Sequence, residues 1–185
     1  MPKLVNHDEK KESILSEVSK LILNGSLETL GIREIAQSAK VSVGALTHYF
    51  GSKEDLYDAL VKRAGMRTNW HLREAISKAK TKRQRLERIL KYVIEHEAEV
   101  LIQILVILDA ARARTPEERE KRSKHQRSEQ IYFDILVSEC ELSHDKARFF
   151  ITNIIGMLTR RLWTRKSEDE SHQFDLILKT VGAKI

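Results

Sequence analysis

The stretch Ser42-Val43-Gly44-Ala45-Leu46-Thr47-His48-Tyr49-Phe50-Gly51-Ser52-Lys53-Glu54-Asp55-Leu56 decides how the chain is read. Ser42 and Ser52 each precede a run of helical character, and a hydroxyl in that place accepts a bond from an otherwise orphan N–H of the first turn. The first serine opens a short helix over about Val43 to Tyr49. The second opens a longer helix with Asp55 in its first turn, where the helix dipole favours negative charge. Upstream lies another short helix, from about Ile32 to Ala39. Two short helices joined by a tight turn and followed by a capped longer helix make a helix-turn-helix layout. Ile35, Ala36, Val41, Leu46, Phe50 and Leu56 have the spacing to form its small core.

In such a layout the second short helix enters the major groove of DNA, and its N-terminal residues meet base edges. Here these are Val43, Gly44 and Ala45. Small side chains allow close approach, and Val43 or Ala45 can touch a thymine methyl group. Gly44 within a helix costs about 1 kcal/mol relative to alanine, which either close approach to DNA or tight helix packing would offset. The hydroxyls and imidazole of Thr47, His48 and Tyr49 suit phosphate oxygens. Lys53 adds a cation beside the exposed N–H groups of the next helix.

Working outward, apolar residues recur with helical periodicity and no run alternates long enough for a strand. Ile14, Leu15, Val18, Leu21 and Ile22 form one stripe, ended by Asn24-Gly25. The helix capped by Ser52 is predicted to reach about Lys80. Leu86, Ile89, Leu90, Val93 and Ile94 mark a fifth helix, and Glu97 to Arg114 a sixth, apolar on nearly every face and therefore buried. Thr115-Pro116-Glu117-Glu118 reads as a helix start, with threonine as cap and proline at the first helical position. That seventh helix extends to about Glu139. Ser143 caps an eighth, with Ala147, Phe150, Ile151, Ile154, Ile155, Leu158 and Leu162 assigned to one face, and Phe174, Ile177, Leu178 and Val181 give a short ninth. The predicted fold is all-α, with a helix-turn-helix DNA-binding domain over residues 1–53 and a helical domain over 54–185, to which the family resemblance given below assigns ligand binding and dimerisation.

Composition agrees. Of 185 residues, 41% are hydrophobic and 32% charged, enough for a packed core under a charged surface. The start, Met1 to Asp8, has no apolar stretch of the kind a secretory signal needs, and no run approaches the ~20 apolar residues of a membrane span. Cys140 stands alone, so no internal disulfide forms. A cytoplasmic setting is predicted, with the thiol read as a buried side chain rather than a redox sensor. The net charge of +6 permits a nucleic-acid partner. Yet the basic residues through Met66 are matched one for one by Asp8, Glu9, Glu12, Glu17, Glu28, Glu34, Glu54, Asp55 and Asp58. Geometry, not pI, carries the DNA argument.

The run Ile32-Arg33-Glu34-Ile35-Ala36, followed by Ala39 through Leu56, closely resembles the TetR/AcrR signature, most specifically over His48 to Leu56. The strong resemblance covers about Glu9 to Leu60. The opening Met1-Pro2-Lys3 with Asn6-His7-Asp8, and Ala110-Ala111-Arg112-Ala113-Arg114, look like the BetI-like branch. The resemblance implies a homodimer paired through the last two long helices, a palindromic double-stranded operator, and a small-molecule inducer that shifts the spacing of the reading helices. It also implies base reading by Arg33, Val43, Gly44 and Ala45, with Ser42 at the start of the reading helix and backbone contacts from Thr47, His48, Tyr49 and Lys53. The sequence departs from the family pattern at Gly31, where a capping threonine is common. Lys40 stands in place of the turn glycine and Thr47 in place of a tyrosine. A left-handed backbone at Lys40 carries a steric cost of roughly 1–2 kcal/mol.

Polar or aromatic residues inside otherwise apolar helices are the candidates for a ligand pocket: Trp70, Tyr92, Gln103 and Asn153. Each also reads as packing or an internal hydrogen bond. No acidic cluster or aromatic cage marks a cationic ligand, so the BetI-like resemblance does not license choline. The basic run from Lys78 to Lys91 reads as a solvated helix face. His71, His96, His125, His144 and His172 are scattered, so no metal is predicted, and no cofactor. Gly-rich phosphate loops, nucleophile elbows and paired catalytic carboxylates are missing from the sequence, which reads as that of a non-enzyme. A TetR-fold adaptor or coactivator, acting through a protein partner, is the alternative to a repressor.

Overall fold

The computed structural model describes residues 7–24, 31–111, 115, 117, 127–164 and 171–182. Among them are nine α-helices and no strand. They are α1 (His7–Asn24), α2 (Ile32–Ser38), α3 (Val43–Phe50), α4 (Lys53–Ser77), α5 (Lys82–Glu95), α6 (Glu97–Ala111), α7 (Arg127–Ser138), α8 (His144–Thr164) and α9 (Ser171–Thr180). The all-α expectation holds. The stop at Gly25, the end of the sixth helix at Arg112 to Arg114, and the Pro116 and Glu118 start signal fall outside the described residues. So does most of the segment that the BetI-like likeness rests on.

The chain packs as two compact units, Met1–Ala64 with Ile102–His125, and Gly65–Leu101 with Gln126–Ile185. In the first, α1 turns Ile14, Leu15, Val18 and Ile22 inward, a spacing that lines one helical face. Against that face lie Ile35 and Ala36 of α2, Leu46 of α3, and Leu56, Tyr57, Leu60 and Val61 of α4, all buried, with Ile102 and Val106 of α6. Val41 and Phe50 pack on this core while partly exposed. The core read from the sequence is therefore the core that forms. Arg63 donates to the Glu12 carboxylate at 2.7 Å, fixing α4 to α1. Because Glu12 is exposed, the pair contributes at most about 1 kcal/mol.

In the second unit α5 buries Leu86, Ile89, Leu90, Tyr92 and Val93. Ala147, Phe150, Ile151, Ile154, Met157 and Leu158 of α8 are buried as well. Ile155 and Leu162, assigned by sequence to this same stripe, are instead exposed. A helix with apolar residues on adjoining faces does not declare which face its own unit covers. α4 ends at Ser77, short of Lys80. Thr81 caps α5 by accepting from the Gln84 N–H at 3.2 Å, while the Gln84 side chain accepts from Lys80 N–H at 2.9 Å. The turn between α7 and α8 is held by α5, whose Arg85 donates to the Glu139 carbonyl at 2.7 Å and Lys82 to that of Glu141 at 2.9 Å. Within this turn Cys140 is fully buried, and burial pushes its thiol up to about 11. It stays protonated and unreactive near neutral pH.

Candidate nucleic-acid interface

The connection from α2 to α3 is set by backbone bonds. Lys40 N–H donates to the Gln37 carbonyl at 3.1 Å and Val41 N–H to that of Ala36 at 2.9 Å. This pair of bonds closes a helix in the Schellman manner and needs a left-handed residue between them. Lys40 takes that conformation, at φ +52°. The strain anticipated for the missing glycine is thus present. Gly31 at the start of α2 has no capping side chain. Glu34 compensates by accepting from the Gly31 N–H at 2.8 Å.

Ser42 caps α3, its Oγ accepting from Ala45 N–H at 3.0 Å. Leu46 anchors the helix in the core, and this fixes which face looks outward. Val43 is 39% exposed, and Gly44, Thr47 and His48 are exposed too, with Ala45 half-buried. A methyl group placed on Gly44 would meet only Ser42 Oγ, at 3.9 Å. Packing within the chain therefore does not demand a glycine there. Thr47 donates its hydroxyl proton to the Val43 carbonyl at 3.0 Å. A phosphate contact from Thr47 has to redirect that proton.

At the other end of α3, Gly51 adopts φ +82°, and a Cβ there would sit 3.0 Å from Asp55 Oδ2. The left-handed backbone of the turn favours glycine here. Ser52 Oγ then accepts from Asp55 N–H at 3.0 Å and donates to the Asp55 carboxylate at 2.7 Å, starting α4 as read from the sequence. The Lys53 ammonium lies 5.4 Å from the centre of the Tyr57 ring. Such a contact is worth about 0.5–1 kcal/mol at an accessible site and holds the cation at the first turn of α4. Tyr49 is half-buried, its ring 4.7 Å from His7 and 5.8 Å from His48. Arg33 is exposed on α2. Sequence reasoning missed two supports of this surface. Tyr57 was legible as the partner four residues after Lys53; His7 was not, since only folding brings α1 to the end of α3.

The pocket candidates differ in their surroundings. Trp70 is 62% exposed, its ring at 4.7 Å from His71. Asn153 donates to the Phe149 carbonyl of its own helix at 2.8 Å. Gln103 is buried in the first unit. Tyr92, in the second, is buried beside a groove of about 460 Å³ between α4 and α5. Burial raises the pKa of its hydroxyl, opposed by a hydrogen bond with Thr68. Among the described residues no group of His, Cys, Asp and Glu could hold a metal ion, and no helix is long and apolar enough to cross a membrane.

Residues 14–60 match the family described as bacterial regulatory proteins, tetR family. Over this segment the chain is similar to the TetR family. Over 56 residues, 30% of this chain and 27% of the relative, it is 36% identical to the HTH-type transcriptional regulator PksA of Bacillus subtilis (strain 168). Over 55 residues, 30% of this chain and 23% of the relative, it is 42% identical to the HTH-type transcriptional regulator HbdR of Aromatoleum sp. (strain CIB). The chain thus spans about a quarter of the length of the curated relatives it matches. Both relatives are transcriptional regulators. The fold resembles that of the transcriptional regulator FadR from Bacillus subtilis, solved in complex with stearoyl-CoA. The TM-score is 0.67 at 17% identity, covering 94% of this chain and 98% of that one. At this identity the likeness to FadR is one of fold.

Proposed function

We propose that this chain is a TetR-family transcriptional repressor that binds a palindromic operator as a homodimer and is released by a small-molecule inducer. The observation that carries the reading is the outward face of α3. Val43 and Gly44 are exposed at its N-terminus while Leu46 behind them is buried, which is the presentation base reading requires. In this proposal Arg33, Val43, Gly44 and Ala45 read base edges. Ser42 fixes the start of the helix, and Thr47, His48, Tyr49 and Lys53 grip phosphates. Residues 1–53 form the functional DNA-reading segment and 54–185 the regulatory body, although the start of α4 packs with the former.

Dimerisation is assigned to α8 and α9. Phe149, Ile155, Leu162 and Trp163 are exposed on α8 and Leu176 on α9, with Trp163 90% accessible. A two-fold copy would cover this surface with its own equivalent and complete a four-helix interface. The inducer is assigned to the body, with Trp70, Tyr92, Gln103 and Asn153 as contacts to be tested by substitution. That FadR was solved with stearoyl-CoA supports ligand binding on this fold. The working place of such a protein is the cytoplasm, where the operator lies.

Selection of bound duplexes from a random pool by the full chain tests this. The expected product is an inverted repeat with half-sites about one helical turn, ~34 Å, or a multiple apart. A metabolite extract is expected to release it. Retention of no duplex, together with recovery of a protein partner, would overturn the proposal in favour of an adaptor.

A further inference from the structure

The fold brings together side chains that the sequence scatters. His71 of α4 stacks 5.9 Å from His96, and His96 lies 4.2 Å from Tyr92 at an interplanar angle of 15°. His71 and Tyr92 are 6.3 Å apart and tilted by 31°, so the rings form a nearly parallel cluster. This cluster lines the 460 Å³ groove of the second unit together with Lys78, Arg88 and Lys91, and with Glu74 and Glu95. The volume falls within the range of about 300–1,000 Å³ usual for small-molecule sites.

The charges are not balanced. Lys91 is paired with Glu95 at 3.6 Å on its own helix. Arg88 donates to the Ala75 carbonyl at 2.7 Å, which uses part of its guanidinium and sets its position at the groove wall. Lys78 has no acidic partner among the described residues. With the Lys91–Glu95 pair set aside, Lys78 and Arg88 outnumber Glu74. A ligand that fits must offer a flat face to the rings and negative charge to these cations. An isolated anion in water gains little here. An anion attached to an aromatic body gains ring stacking as well, and a planar carboxylate matches the guanidinium fork.

We propose that the groove between α4 and α5 binds a small aromatic carboxylate, its ring against Tyr92, His96 and His71 and its carboxylate between Lys78 and Arg88. This deepens the ligand-responsive reading above and rests on it only for the consequence on DNA; the binding itself stands apart. The test is calorimetric titration of the full chain with benzoate and with 2-naphthoate, using 2-naphthamide and 2-naphthylmethylammonium as uncharged and cationic controls. Saturable binding of 2-naphthoate is expected, tighter than benzoate and at least tenfold tighter than either control. Arg88→Gln should weaken it tenfold or more. Lys78→Gln, at an exposed position where folding is not at stake, should weaken it severalfold, and His96→Ala should narrow the gap between naphthoate and benzoate. Absence of saturable binding by both acids, equal binding of the amide, preference for the ammonium, or indifference to Lys78→Gln each overturns the assignment. A parallel titration of the operator complex separates the two claims. Binding of 2-naphthoate without release of DNA supports the groove and removes only its link to the inducer.

Discussion

α3 and α8 solve the same problem in opposite ways. Each buries one face in its own unit, α3 through Leu46 and α8 through Phe150, Ile154 and Leu158. The outward faces differ. On α3 it is Val43, Gly44, Thr47 and His48, small or polar and at ease in water. On α8 it includes Phe149, Ile155, Leu162 and Trp163, side chains whose exposure is unfavourable by about 25 cal/mol per Å². A face of the first kind suits a hydrated, charged partner met transiently, and one of the second kind suits a permanent apolar partner. The contrast teaches that exposure alone does not define an interface. The chemistry exposed does.

The sharpest way to break the comparison is on the α8 side. Replacing Leu162 and Trp163 together by Asp should abolish the proposed dimer, halving the mass seen in light scattering at micromolar concentration. Covering one such side chain is worth roughly 1.5–3 kcal/mol, or about 10–100-fold in the dissociation constant. An unchanged mass would mean that the pairing surface lies elsewhere. The corresponding change on the inner side of α3, Leu46→Ala, should cost about 2–5 kcal/mol of stability in urea unfolding. Gly44→Ala on its outer side should leave stability within about 1 kcal/mol and alter operator preference instead. If both substitutions changed stability alike, the outer face of α3 would have a structural role that its accessibility denies.

How much of this was readable in advance follows the range of the interactions. Ser42 and Ser52 cap through bonds to residues three positions away, so the sequence displays both partners at once. The left-handed Lys40 was visible for the same reason. Thr81 with Gln84 is equally local, and this cap sets the start of α5 so that α4 ends at Ser77 rather than near Lys80. The groove was not legible. His71 stands on α4, Tyr92 on α5 and His96 at the cap that ends α5, and nothing in periodicity says that these rings meet. Polarity within an apolar helix marks buried hydrogen-bonding groups such as Gln103 as readily as ligand contacts. The outward turn of Ile155 and Leu162 was hidden too, because a hydrophobic stripe bordering a second apolar face has no edge in sequence.

A smaller effect distinguishes contacts that grip DNA from those that read it. Lys53→Ala should weaken binding to all duplexes by a similar factor and flatten the dependence of log affinity on log salt by about one unit of slope. Tyr49→Phe should also weaken binding uniformly, with the slope unchanged, since no cation is lost. Anisotropy titrations at several salt concentrations read both. A change of slope with Tyr49→Phe would show that its hydroxyl, the one group lost, positions a cation at the phosphate.

The smallest effect concerns the strain at Lys40. At φ +52° its Cβ crowds the following carbonyl, a conformation costing roughly 1–2 kcal/mol that glycine avoids. Glycine also has more freedom in the unfolded chain, which takes back part of the gain. Lys40→Gly should therefore stabilise the first unit by less than the full strain, about 0.5–1 kcal/mol in urea unfolding. If the only role of Lys40 were to close the turn, operator affinity would rise or stay level. The side chain is, however, an exposed cation two residues before Ser42. A variant that becomes more stable while binding DNA less tightly, with a salt slope lowered by about one unit, would identify the strained lysine as a phosphate contact. The left-handed backbone would then be retained at the turn for the charge it carries.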